Sequence, residues 1–457
     1  MKKQISLLMA TGMAAGLLAG CGGSPSSAAS TSDPAAASTA ASSTATSEAA
    51  PAAAAGTGSD ITLWTYPIGD WGKSETVSAL VAKFNEKYPD INVTVEYLDY
   101  TNGDDQINTA IEGGAAPDIV LEGPERLVAN WGAKGLMVDL SDLWTADAKG
   151  DIYESVESAC KNDAGVYYEY PLCMTAHTMA VNKDLFEKAD ALQYLDETTH
   201  TWTTENFFKA VQAVYDYGQK NVGAVYCSGQ GGDQGTRALV NNLYGGTFTN
   251  PEHTEYTGNS PENVKALEAL KAQQGINFDA SIAGGDEITL FANGTLGMAF
   301  CWNVAQERTH TVTTPDTDFE ILPMAFPSDD GAAELCGGIW GFGVFDNGNA
   351  DRIAASKTFI DFICNDAAQV QDSVKASSYW SVRKSLSDMY AGDELMTKYS
   401  PFIPMMGDYY QVVGGWAEAR TAWWNMLQQV GTGTDAQTAA DEFVATANAA
   451  ATAAAAA

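Results

Sequence analysis

From Ile61 onward the chain switches repeatedly between a two-residue and a 3.6-residue apolar period, and this limits the folds open to it. Residues 61–66 alternate apolar and polar positions and are rich in β-branched and aromatic side chains, which predicts a strand. Residues 75–88 then set Val77, Leu80, Val81, Phe84 and Tyr88 at helical spacing, and Pro89 ends the pattern. Residues 91–98 predict a second strand and 104–112 a helix stopped by Gly113-Gly114. A short buried strand follows at 118–121, then a helical start at 127–131. This order predicts an α/β domain with a mainly parallel sheet and ligands at the carboxyl ends of its strands. A second set comprises strands at 178–182, 222–227 and 297–302 and helices at 204–217 and 261–273. Helices are predicted at 350–364, 366–375, 415–430 and 436–450, with a frayed Ala-rich tail over 451–457.

The N-terminal 59 residues read as address and tether. Lys2 and Lys3 precede an apolar stretch, 5–19, that is too short to span a bilayer, so 1–20 reads as a signal peptide. Leu18-Ala19-Gly20-Cys21 resembles the lipobox of bacterial lipoproteins, which implies acylation of the Cys21 thiol and cleavage before it. Ordinary secretion with Cys21 incidental is the alternative. From Cys21 to residue 59 only Asp33 and Glu48 interrupt a run of Gly, Ser, Ala, Thr and Pro. Such a segment cannot bury enough surface to offset its ordering entropy, so 21–59 is expected to be a flexible tether.

Composition closes several functional classes. The 457-residue chain carries 24 Lys+Arg against 58 Asp+Glu, a net charge of −34. That balance opposes nucleic-acid partners, which need clustered cations, and docking on anionic lipid through a basic patch. No apolar run reaches the ~18 residues of a membrane span. Six cysteines remain beyond Cys21, at 160, 173, 227, 301, 336 and 364, with no CxxC pair. Cys160 and Cys173 flank Gly165 and are either paired across a hairpin or left as buried thiols.

A series of segments carries a family resemblance. The strand 61–66 is followed by Phe84-Asn-Glu-Lys-Tyr-Pro-Asp-Ile91 and the strand 93–97. Then come Gly114-Ala-Ala-Pro-Asp-Ile-Val120, Tyr170-Pro171, Ala180-Val-Asn-Lys-Asp-Leu-Phe186 and Trp202-Thr-Thr-Glu-Asn-Phe207. Phe291-Ala-Asn-Gly294 through Met298-Ala299, Gly337-Gly338 and Ser381-Val-Arg-Lys384 complete the series, with Val181 standing where Tyr is common. In this order the segments resemble the extracellular solute-binding proteins of bacterial ABC importers, in the maltose and multiple-sugar branch. The resemblance implies a two-lobe, type II periplasmic-binding-protein-like fold with its ligand cleft between the lobes. By analogy the N-terminal lobe holds 60–172 plus 338–385 and the C-terminal lobe 173–337 plus 386–450. Hinges are expected near Pro171 and near Gly337-Gly338, where glycine absorbs backbone rotation.

Recognition of a sugar needs flat aromatics for its C–H faces and polar groups for its hydroxyl rim. Trp64 and Tyr66 sit where the first strand ends, Trp71 is in the next loop, Trp302 ends another strand, Trp340 follows Gly337-Gly338, and Tyr379 precedes Arg383. These are the aromatic candidates, whereas Trp144, Trp202, Trp423 and Trp424 sit at helical or capping positions and are expected in the core. Glu122, Thr175, His177, Gln230, Asp233, Asn303 and Arg383 are the polar candidates; Asp118, just after Pro117, is expected to be structural.

Catalytic patterns are weak. Gly72-Lys73-Ser74 echoes a phosphate loop, but Pro67 stands where the leading glycine belongs. No G-x-S-x-G elbow occurs, and none of the four histidines is spaced as H-E-x-x-H. The expected function is capture of a mono- or oligosaccharide by a monomeric, lipid-anchored protein that delivers it to membrane permease subunits. No catalytic residue, metal or cofactor is expected. A surface glycoside hydrolase or lyase, and a binding protein for a cation such as a polyamine, are the alternatives.

Overall fold

The computed structural model describes residues 60–99, 102–228, 233–313 and 319–455. The signal peptide, Cys21, the tether and Gln230 lie outside the described residues. Alternation makes β1 (Asp60–Thr65) a strand whose Ile61, Leu63 and Thr65 turn inward. It lies between the parallel strands β2 (Asn92–Tyr97) and β3 (Ile119–Glu122). The helix Ser74–Lys87 connects β1 to β2 and buries Val77, Leu80, Val81 and Phe84. Phe84 meets Phe359 and Phe362 of the helix Ala350–Asn365 edge-on, at centroid distances of 5.1 and 5.5 Å. Burial of this kind stabilises by about 1.5–3 kcal/mol per large side chain. Asp118 is structural: it accepts hydrogen bonds from Thr62 N–H (2.8 Å) and Asn347 Nδ2 (2.6 Å) and pairs with Arg352.

Three further strands complete this sheet: β4 (Tyr170–Ala176), β10 (Gly337–Val344) and β11 (Trp380–Ser381). The order is β11-β4-β10-β3-β1-β2, and every pairing that involves β4 or β10 is antiparallel. Among the described strands, parallel pairing occurs in β2-β1-β3 and, elsewhere, between β6 (Gly223–Ser228) and β7 (Ile276–Ala283). The reason is connectivity, because β4 leaves this sheet for the next and β10 returns from it, so the two run in opposite senses. The other sheet has the order β8-β5-β9, from β5 (Thr178–Asn182), β8 (Met298–Trp302) and β9 (Ile321–Met324).

Only His177 separates β4 from β5, so the first crossing between the sheets falls there. Its backbone N–H donates to Cys336 O (2.9 Å), on the segment that returns from β9 to β10. β4 therefore continues past the border expected after residue 172. Gly338 permits the fold of β10 locally: a Cβ there would lie 2.1 Å from the Trp340 ring. The helices Trp416–Thr432 and Ala436–Ala455 pack together, and the first of them also covers β6 and β7. The last helix runs through Ala455 instead of fraying after residue 450. Alanine is the best helix former, and Ala450 and Ala451 pack against Gly415. All six described cysteines are buried free thiols.

Candidate functional site

The carboxyl ends of β1 and β3 put a connected set of polar groups at the edge of the six-stranded sheet. Tyr66, just past β1, donates its hydroxyl to Asp104 Oδ1 (2.5 Å). β3 ends at Glu122, and the chain turns at once into a short helix, Pro124–Arg126. The Arg126 guanidinium lies 5.5 Å from the Tyr66 ring centroid and bonds Asp104 Oδ1 (2.8 Å) and Glu122 Oε1 (3.0 Å). Glu122 Oε2 also accepts from Gly123 N–H (2.5 Å). Burial outweighs Arg126 at Glu122 and pushes its carboxyl up to about 8. At Asp104 burial acts upward too, but hydrogen bonding and charge from Arg126 prevail and hold it below the usual range.

A segment far along the chain closes over this set. Tyr409 donates its hydroxyl to Glu125 Oε2 (2.8 Å), and Gln411 Nε2 donates to Gly337 O (3.3 Å). Gln411 Oε1 in turn accepts from Arg237 Nη2 (3.1 Å). Arg237 is fully buried, 4.7 Å from the Trp416 ring centroid and 5.3 Å from that of Phe248. Asp233 joins Arg237 to Arg420, whose Nη2 lies 2.7 Å from Asp233 Oδ1. Arg420 is also close enough to Arg126, Glu125, Asp104 and Glu122 to feel their charges. Beside the crossing, burial and Arg237 push the His177 imidazole down to about 4, which leaves it neutral at pH 7.

A second feature is aromatic. Trp340 on β10 is half-buried and lies parallel to Tyr379, with centroids 4.9 Å apart and planes 11° apart. The Tyr379 hydroxyl lies close to the side chain of Asn303, which follows β8 in the other sheet. Asn303 Oδ1 accepts from Ala305 N–H (2.8 Å) at the start of the next helix.

The expected site residues therefore separate. Tyr66, Glu122, Thr175, His177 and Asn303 fall at or beside the ends of β1, β3, β4 and β8, and Trp340 on β10 stacks on Tyr379; of these, Tyr66 and Thr175 are 0% exposed and buried in this state. Trp64 is half-buried within β1, beside Val120 and Glu96. Trp71 and Trp302 are corrections to the aromatic set, since both are 0% exposed. The Trp71 indole N–H donates to Ser373 O (3.0 Å) and that of Trp302 to Tyr399 Oη (2.7 Å). With faces packed on Phe342 and Phe291, neither ring has a surface left for a solute. Arg383 is also structural, bonded to Cys364 O (3.2 Å), Asp151 Oδ2 (3.1 Å), Tyr170 Oη (3.2 Å) and Asn365. Asp233 is 1% exposed and holds two arginines in place. Trp144, Trp202 and Trp423 are core residues as expected, and Trp424 is half-buried.

Sequence reasoning missed Glu125, Arg126, Glu169, Tyr409, Gln411 and Arg420. The first two had a usable signal, because they directly follow a buried strand at its ligand-side end. Tyr409, Gln411 and Arg420 had none, since nothing local ties them to partners 74 to 284 positions earlier.

With this geometry in view, the comparisons are consistent. The chain belongs to the bacterial extracellular solute-binding protein family, whose model matches residues 70–370. It is thereby a binding protein and not an enzyme, which sets aside the hydrolase alternative. Comparison with curated protein sequences gives no match. Among solved structures, the chain is similar to the cyclic α-maltosyl-1,6-maltose binding protein of Arthrobacter globiformis, with 18% identity and a TM-score of 0.67 over 86% of this chain and 98% of that one. It is also similar to UgpB of Mycobacterium tuberculosis in complex with glycerophosphocholine, with 17% identity and a TM-score of 0.66 over 84% and 96%. A third is an ABC transporter solute-binding protein of Thermotoga lettingae bound with α-D-tagatose, with 17% identity and a TM-score of 0.65 over 86% and 99%. At such identities the likeness establishes the fold, the two-lobe type II periplasmic-binding-protein architecture. No helix among the described residues is long and apolar enough to cross a membrane.

Proposed function

We propose that the chain is the lipid-anchored substrate-binding protein of an ABC importer, and that its solute is a carbohydrate held between the lobes and handed to a membrane permease. The observation that carries the carbohydrate reading is the Trp340–Tyr379 pair, whose tyrosine lies close to Asn303 beyond β8 of the other sheet. Rigid aromatic area at a lobe boundary suits the C–H face of a sugar, and Thr175, His177 and Glu122 offer groups for its hydroxyls. Ligands of solved relatives, a cyclic maltosyl-maltose and tagatose, support the same class.

Capture would proceed by rotation at the crossings around His177 and Cys336. A solute touching both lobes favours the closed state by its differential affinity for that state. A thermal-shift screen across a carbohydrate panel, followed by calorimetry on the hits, tests the reading. Saturable binding without turnover is expected; no response from any sugar would overturn it. The cationic alternative stays in view because Glu122, Glu125 and Asp104 crowd the same boundary.

A further inference from the structure

Acidic groups outnumber basic ones at the lobe boundary, and Glu169 shows this most directly. It is 0% exposed, and neither of its carboxyl oxygens has a hydrogen-bond partner among the described residues. The charged groups nearest in influence are Glu125 and Glu122, both of its own sign. Burial first, then these two neighbours, hold its carboxyl well above the usual range. The backbone makes room for this crowding. A Cβ on Gly341 would lie 2.7 Å from Glu169 Oε1, and one on Gly123 would lie 2.6 Å from Glu125 Oε2. Gly341 on β10 and Gly123 just past the end of β3 thus leave space that carboxyl groups occupy.

The only cation bonded to this set from its own lobe, among the described residues, is Arg126. From the other side come Arg237 and Arg420, already joined by Asp233. Five acidic groups (Asp104, Glu122, Glu125, Glu169 and Asp233) thus meet three arginines where the lobes come together, and the Tyr409 hydroxyl reaches over to Glu125. Burying an unpaired carboxylate is costly, and the cost falls when a counter-charge arrives with hydrogen-bond donors.

We propose that the captured solute carries a protonated amine, received beneath Tyr409 by Glu169, Glu125 and Glu122. This rests on the carbohydrate reading above and narrows it to amine-bearing carbohydrates. An ammonium group supplies three donors and one positive charge, which match two unpaired oxygens and the local excess of acid. A neutral hydroxyl supplies one donor and no positive charge to hold Glu169 as a carboxylate.

The test is calorimetry on the mature protein with glucosamine and galactosamine, their parent sugars, their N-acetyl forms, and spermidine. The expected result is saturable binding of an amino sugar at least tenfold tighter than its N-acetyl and parent forms. Glu169→Gln should remove most of that preference, and Glu125→Gln should reduce it as an independent check. Because Glu169→Gln replaces a buried carboxyl group that has no partner, it should leave the unliganded protein at least as heat-stable as before. A lower melting temperature would show that Glu169 is compensated within the fold and would overturn the proposal. Neutral sugars that bind as tightly as amino sugars would also overturn it, leaving carbohydrate capture intact. Binding of spermidine with no response to any sugar would instead sink the carbohydrate reading. Silence from every probe would count against both.

Discussion

The ring of Trp340 lies parallel to that of Tyr379, 4.9 Å away, and Tyr379 reaches Asn303 across the lobe boundary. A half-buried indole backed by a second ring is held in one orientation without a solute, so little ordering entropy remains to be lost on binding. Trp340→Ala should therefore weaken sugar binding by about 1–3 kcal/mol while the protein stays folded. Titration calorimetry reads the affinity and circular dichroism the fold. An unchanged dissociation constant would remove this pair from the site.

Tyr409→Phe takes away a single hydroxyl, the one donated to Glu125 Oε2 across the boundary. A hydrogen bond to a charged group contributes about 1.5–3 kcal/mol. The variant should open more often, which small-angle scattering would register as a larger radius of gyration without ligand. Identical scattering curves would mean that the contact does not help hold the lobes together.

Asp233 joins Arg237 and Arg420 instead of facing a solute as a polar ligand contact. Asp233→Ala would leave Arg237 buried beside Arg420 with no shared carboxylate. Breaking a buried pair in this way costs about 3–5 kcal/mol. Chemical denaturation should show that loss directly, whereas a ligand-contact role alone would leave stability untouched.

Stability should fall as the solution becomes alkaline. Burial pushes the Glu287 carboxyl up to about 8, against the pull of the Phe300 and Cys301 N–H groups at 2.6 and 2.9 Å. The folded chain thus keeps a proton that the unfolded chain releases near the ordinary value of 4.5. The resulting stabilisation is complete below that value and is lost as pH climbs through about 8. Urea midpoints measured from pH 5 to pH 9 should decline, and Glu287→Gln should flatten the slope. A midpoint that rises over the same range would contradict the assignment.

Cys21→Ser tests the anchor. If the thiol carries lipid, the variant should move from the membrane fraction to the soluble one and lose incorporation of labelled fatty acid. Retention in the membrane fraction would point to another means of attachment.

Much of the fold was legible because its cues are local. The helix Thr204–Tyr217 shows this, bounded by a Thr203 side chain that accepts from Asn206 N–H and by Gly218 at φ 134°. β10 escaped notice because glycines at 337, 338, 341 and 343 erase the strand signature, although they are what let Trp340 and Glu169 approach the backbone. The site was legible only in part. Trp71 and Trp302 stand at strand ends, as a solute-binding ring should, yet each found a buried partner for its indole N–H.

The order of residues alone determined the alternation of strands and helices, the acidic surface and the family likeness, since each rests on neighbours within a few turns of chain. Tertiary structure decided which aromatic rings stay accessible and which carboxylates share a space. Those outcomes depend on contacts such as Tyr409 with Glu125 and Asp233 with Arg420, between residues hundreds of positions apart. No local pattern encodes them, because the energy of a buried charge is set by whatever the rest of the fold places around it.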